Sequence, residues 1–101
     1  MLVAEVDGAL VATGTLAGSE IKRVFVDPSH QGEGWGRTIM AHLEKEAKRI
    51  GLSTVELDAS IPAKPFYDHL AYETVAEQER ALRSDSLRYY RMKRSLSASY
   101  E

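Results

Sequence analysis

Residues 24–37 read Val-Phe-Val-Asp-Pro-Ser-His-Gln-Gly-Glu-Gly-Trp-Gly-Arg, and this stretch decides the fold. The β-branched and aromatic residues at its start favour a strand, and the Asp-Pro pair ends that strand because proline has no N–H to donate to a neighbour. Gly32, Gly34 and Gly36 then alternate just before a long helical pattern. Backbone N–H groups at a helix start, with no Cβ atoms in front of them, form an anion site that suits a pyrophosphate. The stretch therefore predicts a strand, a phosphate-binding turn and a helix.

The composition fits one small globular domain. At 101 residues, 44% of them hydrophobic, the chain can bury about 60–70% of the surface that its unfolded form exposes. A net charge of −2 provides no basic field for nucleic acid. Cysteine is absent, which excludes disulfides and thiol catalysis and makes a cytoplasmic location the default expectation. No apolar run approaches the ~18 residues that span a membrane, and no signal peptide precedes the first strand, so we expect no membrane association.

The hydrophobic periodicity predicts the element order β-β-β-α-β-α-β-β in a single domain over residues 1–94, followed by a flexible tail over residues 95–101. Asp7-Gly8 is typical of a type I′ hairpin turn. The strand-helix-strand unit in the middle implies a right-handed parallel crossover. We expect strands at 2–6, 9–16, 21–26, 54–58, 72–77 and 87–93, helices at 36–50 and 63–70, and a polar loop at 78–86.

The two predicted helices differ in how clearly the sequence defines them. In the long helix, one stripe is apolar, and Glu44 lies on the exposed side, where it pairs with Lys48. The stripe consists of Ile39, Met40, Leu43, Ala47 and Ile50, and Gly51 ends the helix. The short helix is expected to begin with a Ser60 cap and with Pro62 in its first turn.

A dinucleotide site on a Rossmann unit is the alternative interpretation of the glycine turn, because Asp58 ends the next strand roughly 20 residues past the glycines. Three observations oppose it. The third glycine of that fingerprint would fall at position 37, which is Arg37. The glycines do not directly follow the strand, and an antiparallel hairpin precedes the motif. The sequence therefore favours a pyrophosphate turn in a different fold.

Two segments resemble the GNAT N-acetyltransferase superfamily. The spacing Gln-x-x-Gly-x-Gly over residues 31–36, after a strand that ends in Val-Asp-Pro, resembles its acetyl-coenzyme A motif. Residues 58–72 resemble the segment that follows its crossover strand, where a short helix carries Tyr and then Leu-Gly-Phe or Leu-Gly-Tyr. The segments have the family's order and spacing, and with the flanking strands the resemblance covers residues 1–94. It implies an α/β (α+β) fold with a GNAT-like mixed sheet, in which the two central parallel strands splay apart to take acetyl-CoA.

The resemblance also implies which residues bind the cosubstrate. The backbone of Val24, Phe25 and Val26 would pair with the pantetheine arm and hold the acetyl carbonyl. Ser60 stands where many members use Asn to contact the pantetheine. The residues that would wrap the pyrophosphate are Gln31, Gly32, Glu33, Gly34, Trp35, Gly36 and Arg37. We expect Trp35 to pack against the following helix rather than to stack on adenine.

Tyr67 matches the general acid of the family. A phenol within hydrogen-bond reach can protonate the thiolate that leaves when an amine attacks a thioester. The base that takes the proton of the amine is assigned to Asp58, with Glu56, Glu20 or a water relay as alternatives, and a strand amide near Val26 would stabilise the oxyanion. No metal is expected, because the three histidines of the chain, at 30, 42 and 69, lack a metal-ligand spacing.

The expected function is therefore that of an acetyl-CoA-dependent N-acetyltransferase acting on the primary amine of a small molecule or peptide. Ala71 departs from the family, which has Gly there, and costs about 1 kcal/mol if the backbone is left-handed. The N-terminal strand and two helices of the usual fold are also absent. Their absence predicts an exposed apolar face and a homodimer. The alternative is a catalytically inactive acyl-CoA-binding or sensing module, and a structural fragment of a larger assembly is a third possibility.

Overall fold

The computed structural model of the protein describes residues 1–96 and contains one mixed six-stranded sheet with two α-helices. The strand order is β1-β2-β3-β4-β6-β5, in which β3 and β4 are parallel and the other neighbours antiparallel. The predicted fold class and element order are confirmed. The elements are β1 (Leu2–Val6), β2 (Ala9–Ala17), β3 (Glu20–Val26), α1 (Trp35–Arg49), β4 (Thr54–Ser60), α2 (Lys64–His69), β5 (Glu73–Ala81) and β6 (Ser86–Ser95), and a short 3-10 helix spans Pro28–His30.

The central parallel strands splay apart as predicted. Within residues 1–96, β3 and β4 share a single register pair, Glu20 with Glu56, where the Glu56 N–H donates to the Ser19 carbonyl at 3.0 Å. On its other side β4 pairs with β6 along its whole length. Beyond the shared pair the two strands diverge toward their C-terminal ends. We call the space between residues 24–26 of β3 and residues 58–60 of β4 the wedge.

Helix α1 packs on the sheet with the predicted apolar stripe. Its buried residues include Ile39, Met40, Leu43 and Ala47. Ile50, predicted as the last residue of the stripe, is instead 51% exposed, because it is the C-cap residue, where the helical turn ends. The predicted stop is confirmed, since Gly51 has φ +92.

Helix α1 crosses β2 at a residue that has no side chain. A Cβ atom built on Gly14 would lie 2.6 Å from Ile39 Cγ2 and 2.8 Å from Leu43 Cδ1. Such distances are well inside van der Waals contact. The close packing of this helix on the sheet therefore requires glycine at position 14.

The last two strands are longer than predicted. Residues 78–81 belong to β5 and Ser86 begins β6, so only residues 82–85 connect them and the predicted loop at 78–86 is wrong in most of its length. Nearly all of β5 is exposed, so no alternation of buried residues marks it in the sequence. Cross-strand contacts stabilise it instead: Glu77 pairs with Arg88, and the Arg80 guanidinium lies 5.3 Å from the Tyr89 ring centroid.

The last strand extends two residues beyond its predicted C-terminal end at residue 93. Strand β6 continues through Ser95, and Leu96 is buried, with its N–H donating to the Ser53 carbonyl at 2.8 Å. The rest of the predicted tail, residues 97–101, lies outside the described residues. None of the helices within residues 1–96 has the length and apolarity needed to cross a membrane.

The start of α2 differs from the prediction. Ser60 is the last residue of β4, and the N-cap of α2 is Ala63, which makes no side-chain capping bond. The proline in the first turn is Pro65 rather than Pro62. The Ala63 N–H donates to the Ser60 carbonyl at 3.0 Å, so a backbone turn makes the connection that a serine side chain was expected to make.

The end of α2 is strained as the sequence suggested. Ala71 has φ +72, and its N–H donates to the Asp68 carbonyl at 3.1 Å, while the Tyr72 N–H reaches the Tyr67 carbonyl at 3.1 Å. These bonds close the helix in the manner of a Schellman motif, in which glycine is the preferred left-handed residue.

Ala71→Gly is therefore expected to raise the free energy of unfolding by about 0.5–1 kcal/mol, measured by urea denaturation, because glycine removes the left-handed strain. Ala63→Gly is the control, since Ala63 at the other end of the helix has a right-handed backbone with φ −85. That substitution should destabilise the protein. Equal changes for both variants would contradict the assignment of strain to position 71.

Candidate active site

A cavity of about 650 Å³ lies at the C-terminal ends of the diverging strands. Its walls are the end of β3, the glycine turn, the first turn of α1 and the beginning of α2. All of the predicted site residues line it except Phe25, Glu33 and Asp58. The lining residues are Val24, Val26, Gln31, Gly32, Gly34, Trp35, Gly36, Arg37, Ser60, Pro62, Ala63, Phe66 and Tyr67.

A smaller groove of about 260 Å³ lies between the splayed strands. Val24, Ser60, Ala63 and Tyr67 line both spaces, whereas Asp58 lines the smaller one. The cavity and the groove therefore adjoin at the wedge. Together they form a passage between β3 and β4, and Tyr67 stands at the junction.

The glycine turn has the backbone that an anion site needs. Gly32 and Gly34 have φ +84 and +90, values that other residues adopt only with strain, and no atom lies within 4 Å of a Cβ built on either. Gly34 is the N-cap of α1, so the N–H groups of the first turn have no partner in the preceding residues of the helix. The Gln31 side chain donates to the Val26 carbonyl at 3.4 Å and ties the turn to the end of β3.

Glu33 braces this turn through its side chain. One carboxylate oxygen accepts hydrogen bonds from His30 Nδ1 and from the Trp35 indole N–H, both at 3.0 Å. These bonds, the one from His30 first, hold the pKa of Glu33 below its ordinary value. Trp35 packs against the core and also lines the cavity. The Glu33 side chain thus acts on the turn itself, and only its backbone suits the predicted contact with a pyrophosphate.

A β-bulge in β3 directs alternate side chains into the wedge. Arg23 has φ +57, its carbonyl accepts a hydrogen bond from the Thr13 hydroxyl at 3.0 Å, and the register between β2 and β3 shifts there. After the bulge, Val24 and Val26 line the cavity and Phe25 is 53% exposed. Phe25 can therefore contribute to the wedge through its backbone, which is the role predicted for it.

Tyr67 presents a protonated phenol to the passage. The residue is 8% exposed, and its ring packs edge-on against Phe66 and Tyr72, with centroids 5.0 and 5.9 Å away. Burial raises the pKa of Tyr67. Its hydroxyl contacts solvent and has no hydrogen-bond partner among residues 1–96. The phenol is therefore free to donate its proton to a molecule in the passage.

A buried polar network fixes the segment that follows Tyr67. The Tyr72 hydroxyl donates to one carboxylate oxygen of Glu44 at 2.6 Å, and the Arg94 guanidinium donates to the other at 2.7 Å. Glu44 is only 9% exposed, so its predicted place on the outer side of α1 is wrong. The Glu44 carboxylate can be buried beside the apolar stripe because each of its oxygens accepts a hydrogen bond. The two donors, Tyr72 and Arg94, lie on elements that are distant in sequence. The network joins α1, β6 and the end of α2.

Asp58 belongs to a charged cluster that sequence reasoning did not find. Arg91 of β6 donates to Asp58 Oδ1 at 2.9 Å, to Glu20 at 3.1 Å, and to Glu56. The hydrogen bonds to Asp58, Glu56 and Glu20 raise the pKa of Arg91, so its charge is fixed. Asp58 Oδ2 has no hydrogen-bond partner in the described part of the chain. All three carboxylates that the sequence offered as candidate bases are therefore neighbours, and Asp58 is the one that lines the groove.

A family model of the acetyltransferase (GNAT) domain matches residues 1–96. The chain belongs to this family. Among curated proteins it is 35% identical over 72 residues to the glucosamine 6-phosphate N-acetyltransferase of Trypanosoma brucei brucei, covering 71% of this chain and 47% of that protein. It is 35% identical over 66 residues to an IAA acetyltransferase of Azospirillum brasilense, covering 59% and 43%. This GNAT chain thus spans about half the length of these curated relatives.

Solved GNAT structures have the same architecture. A GCN5-related N-acetyltransferase from Rhodopseudomonas palustris superposes with a TM-score of 0.86 and 26% identity, covering 92% of this chain and 59% of that one. The protein yncA from Salmonella typhimurium, solved with acetyl-CoA, has a TM-score of 0.80 and 19% identity, covering 98% and 65%. An aminoglycoside 6′-N-acetyltransferase solved with coenzyme A has a TM-score of 0.79 and 18% identity, covering 98% and 73%. The Rossmann alternative is thereby excluded.

Proposed function

We propose that this GNAT domain transfers an acetyl group from acetyl-CoA to a primary amine of a small molecule or peptide. The observation that supports it most is Tyr67, which lines both the cavity and the groove and whose protonated hydroxyl has no hydrogen-bond partner within residues 1–96. Because Tyr67 lines both spaces, a cosubstrate in the cavity and an acceptor in the groove would both lie beside this general acid. That arrangement suits a direct transfer between two bound molecules.

The cosubstrate would lie in the cavity. The first turn of α1 and the glycine turn offer free N–H groups to the pyrophosphate, with Arg37 beside them. The backbone of residues 24–26 faces the wedge, where β4 has diverged and no other strand within residues 1–96 pairs with this edge of β3. An extended pantetheine arm could fill that position, with Ser60 on the opposite wall. All the predicted binding residues except the Glu33 side chain keep a role in this proposal.

In the proposed reaction the acceptor's ammonium first loses one proton to Asp58, directly or through a water; Asp58 Oδ2 has no hydrogen-bond partner within residues 1–96. The neutral amine nitrogen then attacks the acetyl carbon, a C–N bond forms, the C–S bond breaks, and Tyr67 gives its proton to the departing sulfur. The second proton that the nitrogen loses on becoming an amide returns to the Tyr67 phenolate, so the phenol is restored. We choose Asp58 over Glu56 and Glu20 because it lines the groove beside Tyr67.

A homodimer and a cytoplasmic location stay predictions. Thr13 of β2 is the register partner of both Val3 on β1 and Phe25 on β3, so the three side chains lie on one face of the sheet. Val3 and Phe25 are exposed there and supply a small apolar surface for a second copy. Sedimentation velocity at several protein concentrations would test the dimer.

Acetyl-CoA is expected to raise the melting temperature by about 10 °C or more at a concentration 100 times its dissociation constant. The ligand adds about 2.7 kcal/mol of stability there, and each kcal/mol is worth about 4–8 °C for a domain of this size. Free thiol release should then require an added amine. Calorimetry and a thiol assay over a pool of amines measure the two effects.

Two glycines of equal strain provide the matched control. Gly34 and Gly8 have φ +90 and +80, and a Cβ on either meets no protein atom within 4 Å. Gly34→Ala places a methyl group in the proposed phosphate site and should abolish the stabilisation by acetyl-CoA, whereas Gly8→Ala in the first hairpin should retain it. No stabilisation of the unmodified protein at millimolar coenzyme would overturn the proposal. Stabilisation without amine-dependent thiol release would indicate the inactive binding module instead.

A further inference from the structure

The closed end of the wedge is the weakest junction of the sheet. Glu20 and Glu56 form the single register pair between β3 and β4 in the described residues, whereas the neighbouring pairs of strands share ladders of five to eight residues. The pair also consists of two carboxylates, and like charges directly opposite each other destabilise a sheet. Asp58, two residues further along β4, adds a third negative charge. With one register pair and three neighbouring carboxylates, β3 and β4 would separate at this junction unless another group stabilised it.

Arg91 offsets this repulsion from the far side of β4. It lies on β6 opposite Asp58, and its side chain crosses β4 to reach β3. The guanidinium donates to Glu20 at 3.1 Å, to Asp58 at 2.9 Å and to Glu56. It thus bonds both members of the Glu20–Glu56 register pair that joins β3 to β4. Arg91 is 25% exposed at its side chain, so these charge-assisted bonds are partly shielded from water.

We propose that Arg91 is a positioning residue that clamps β3 to β4 at the closed end of the wedge and thereby sets the opening that receives the coenzyme arm. The clamp is a property of the free protein, and its effect on the coenzyme rests on the function proposed above. Arginine suits this position because its planar fork serves several acceptors at once, which a lysine ammonium on its flexible stem does not hold in fixed geometry.

Amide hydrogen exchange in the free protein tests the clamp. The Glu56 N–H donates to the Ser19 carbonyl across the junction and so reports its opening, while the β4 amides that face β6 serve as the internal reference. Arg91→Ala should speed exchange at Glu56 by about tenfold relative to that reference, since it removes charge-assisted bonds and leaves three carboxylates together. Arg91→Lys should recover part of the protection.

Arg88→Ala is the matched control, because Arg88 lies on the same strand and pairs with a glutamate, Glu77, in the outer hairpin. In the Arg88→Ala variant, the Glu56 amide should exchange at the same rate as in the unmodified protein. A second arm uses Glu20→Ala, which removes the β3 end of the clamp; in that background Arg91→Ala should add little. Equal exchange at Glu56 in Arg91→Ala and Arg88→Ala would overturn the proposal even if both variants fold normally.

Coenzyme A titration by calorimetry tests the consequence for the site. The dissociation constant should rise about tenfold in Arg91→Ala and stay unchanged in Arg88→Ala. Faster Glu56 exchange with unchanged affinity would overturn the positioning role. If the unmodified protein binds no coenzyme A, the proposed function fails, and the exchange measurement alone decides whether Arg91 holds the strands together.

Discussion

Tyr67→Phe is expected to lower kcat of amine-dependent acetyl transfer about 10²–10⁴-fold, the range that a positioned general acid contributes. The substitution removes one oxygen that bonds to no residue of the chain from 1 to 96 and keeps the ring that packs against Phe66 and Tyr72. Affinity for coenzyme A and the melting temperature should therefore change little. Steady-state kinetics with calorimetry separates these effects, and Tyr89→Phe in the outer hairpin is the control.

The pH dependence follows from the same phenol. Burial raises the pKa of Tyr67 above the ordinary tyrosine value, which is about 10. The acid form therefore persists as pH rises through 7 to 10, and activity should fall through its loss only above that range. A kcat within about threefold of the unmodified enzyme in Tyr67→Phe would show that another group, or water, protonates the sulfur.

Gly14→Val is expected to destabilise the protein by about 3 kcal/mol, the largest single effect on folding that we predict. Its Cβ would lie 2.6 Å from Ile39 and 2.8 Å from Leu43, so α1 must move off the sheet or side chains must leave their rotamers. Each kcal/mol is worth about 4–8 °C in a domain of this size, so the melting temperature should fall by about 12–24 °C. Urea denaturation gives the free energy directly.

Thr15→Val is the control for that prediction, because successive residues of a strand point to opposite faces and position 15 is therefore not beneath the helix. Its cost should stay below about 0.5 kcal/mol. Gly14→Ala should fall between the two. Combining Gly14→Val with Ile39→Ala should cost less than the sum of the single changes, since the smaller residue makes room for the larger one. Strict additivity would contradict the assigned clash.

The fold could be predicted from the sequence wherever a short-range pattern of residues indicated the element. The alternation in the first three strands, the stripe of α1 and the alternating glycines are all short-range signals, and they gave the element order and most of the cavity wall. The prediction was wrong where that signal was missing or conflicting. The hairpin of β5 and β6 projects with few buried residues, so its strands have the composition of a loop.

The parts of the candidate site that the sequence did not predict depend on contacts between residues far apart in sequence. Arg91 meets Glu20 across 71 positions of sequence, and Glu44 meets Arg94 across 50, so neither residue type nor spacing indicates the contacts. Arg23 adopts a left-handed backbone conformation, which is uncommon for arginine, so the residue type gives no indication of it. The sequence thus predicted the residues that line the cavity better than those that hold them in place.

The chain is organised as two consecutive lobes with a seam between them. The first lobe contains β1 to β3 and α1, the second β4 to β6 and α2, and the sheet is continuous within each. Within residues 1–96, β3 and β4 share one register pair across the seam. The hydrophobic core and the bonds from Tyr72 and Arg94 to Glu44 also join the two lobes. A molecule bound in the wedge would add cross-links along the rest of the seam, so its occupancy would stiffen the junction of β3 and β4 most of all.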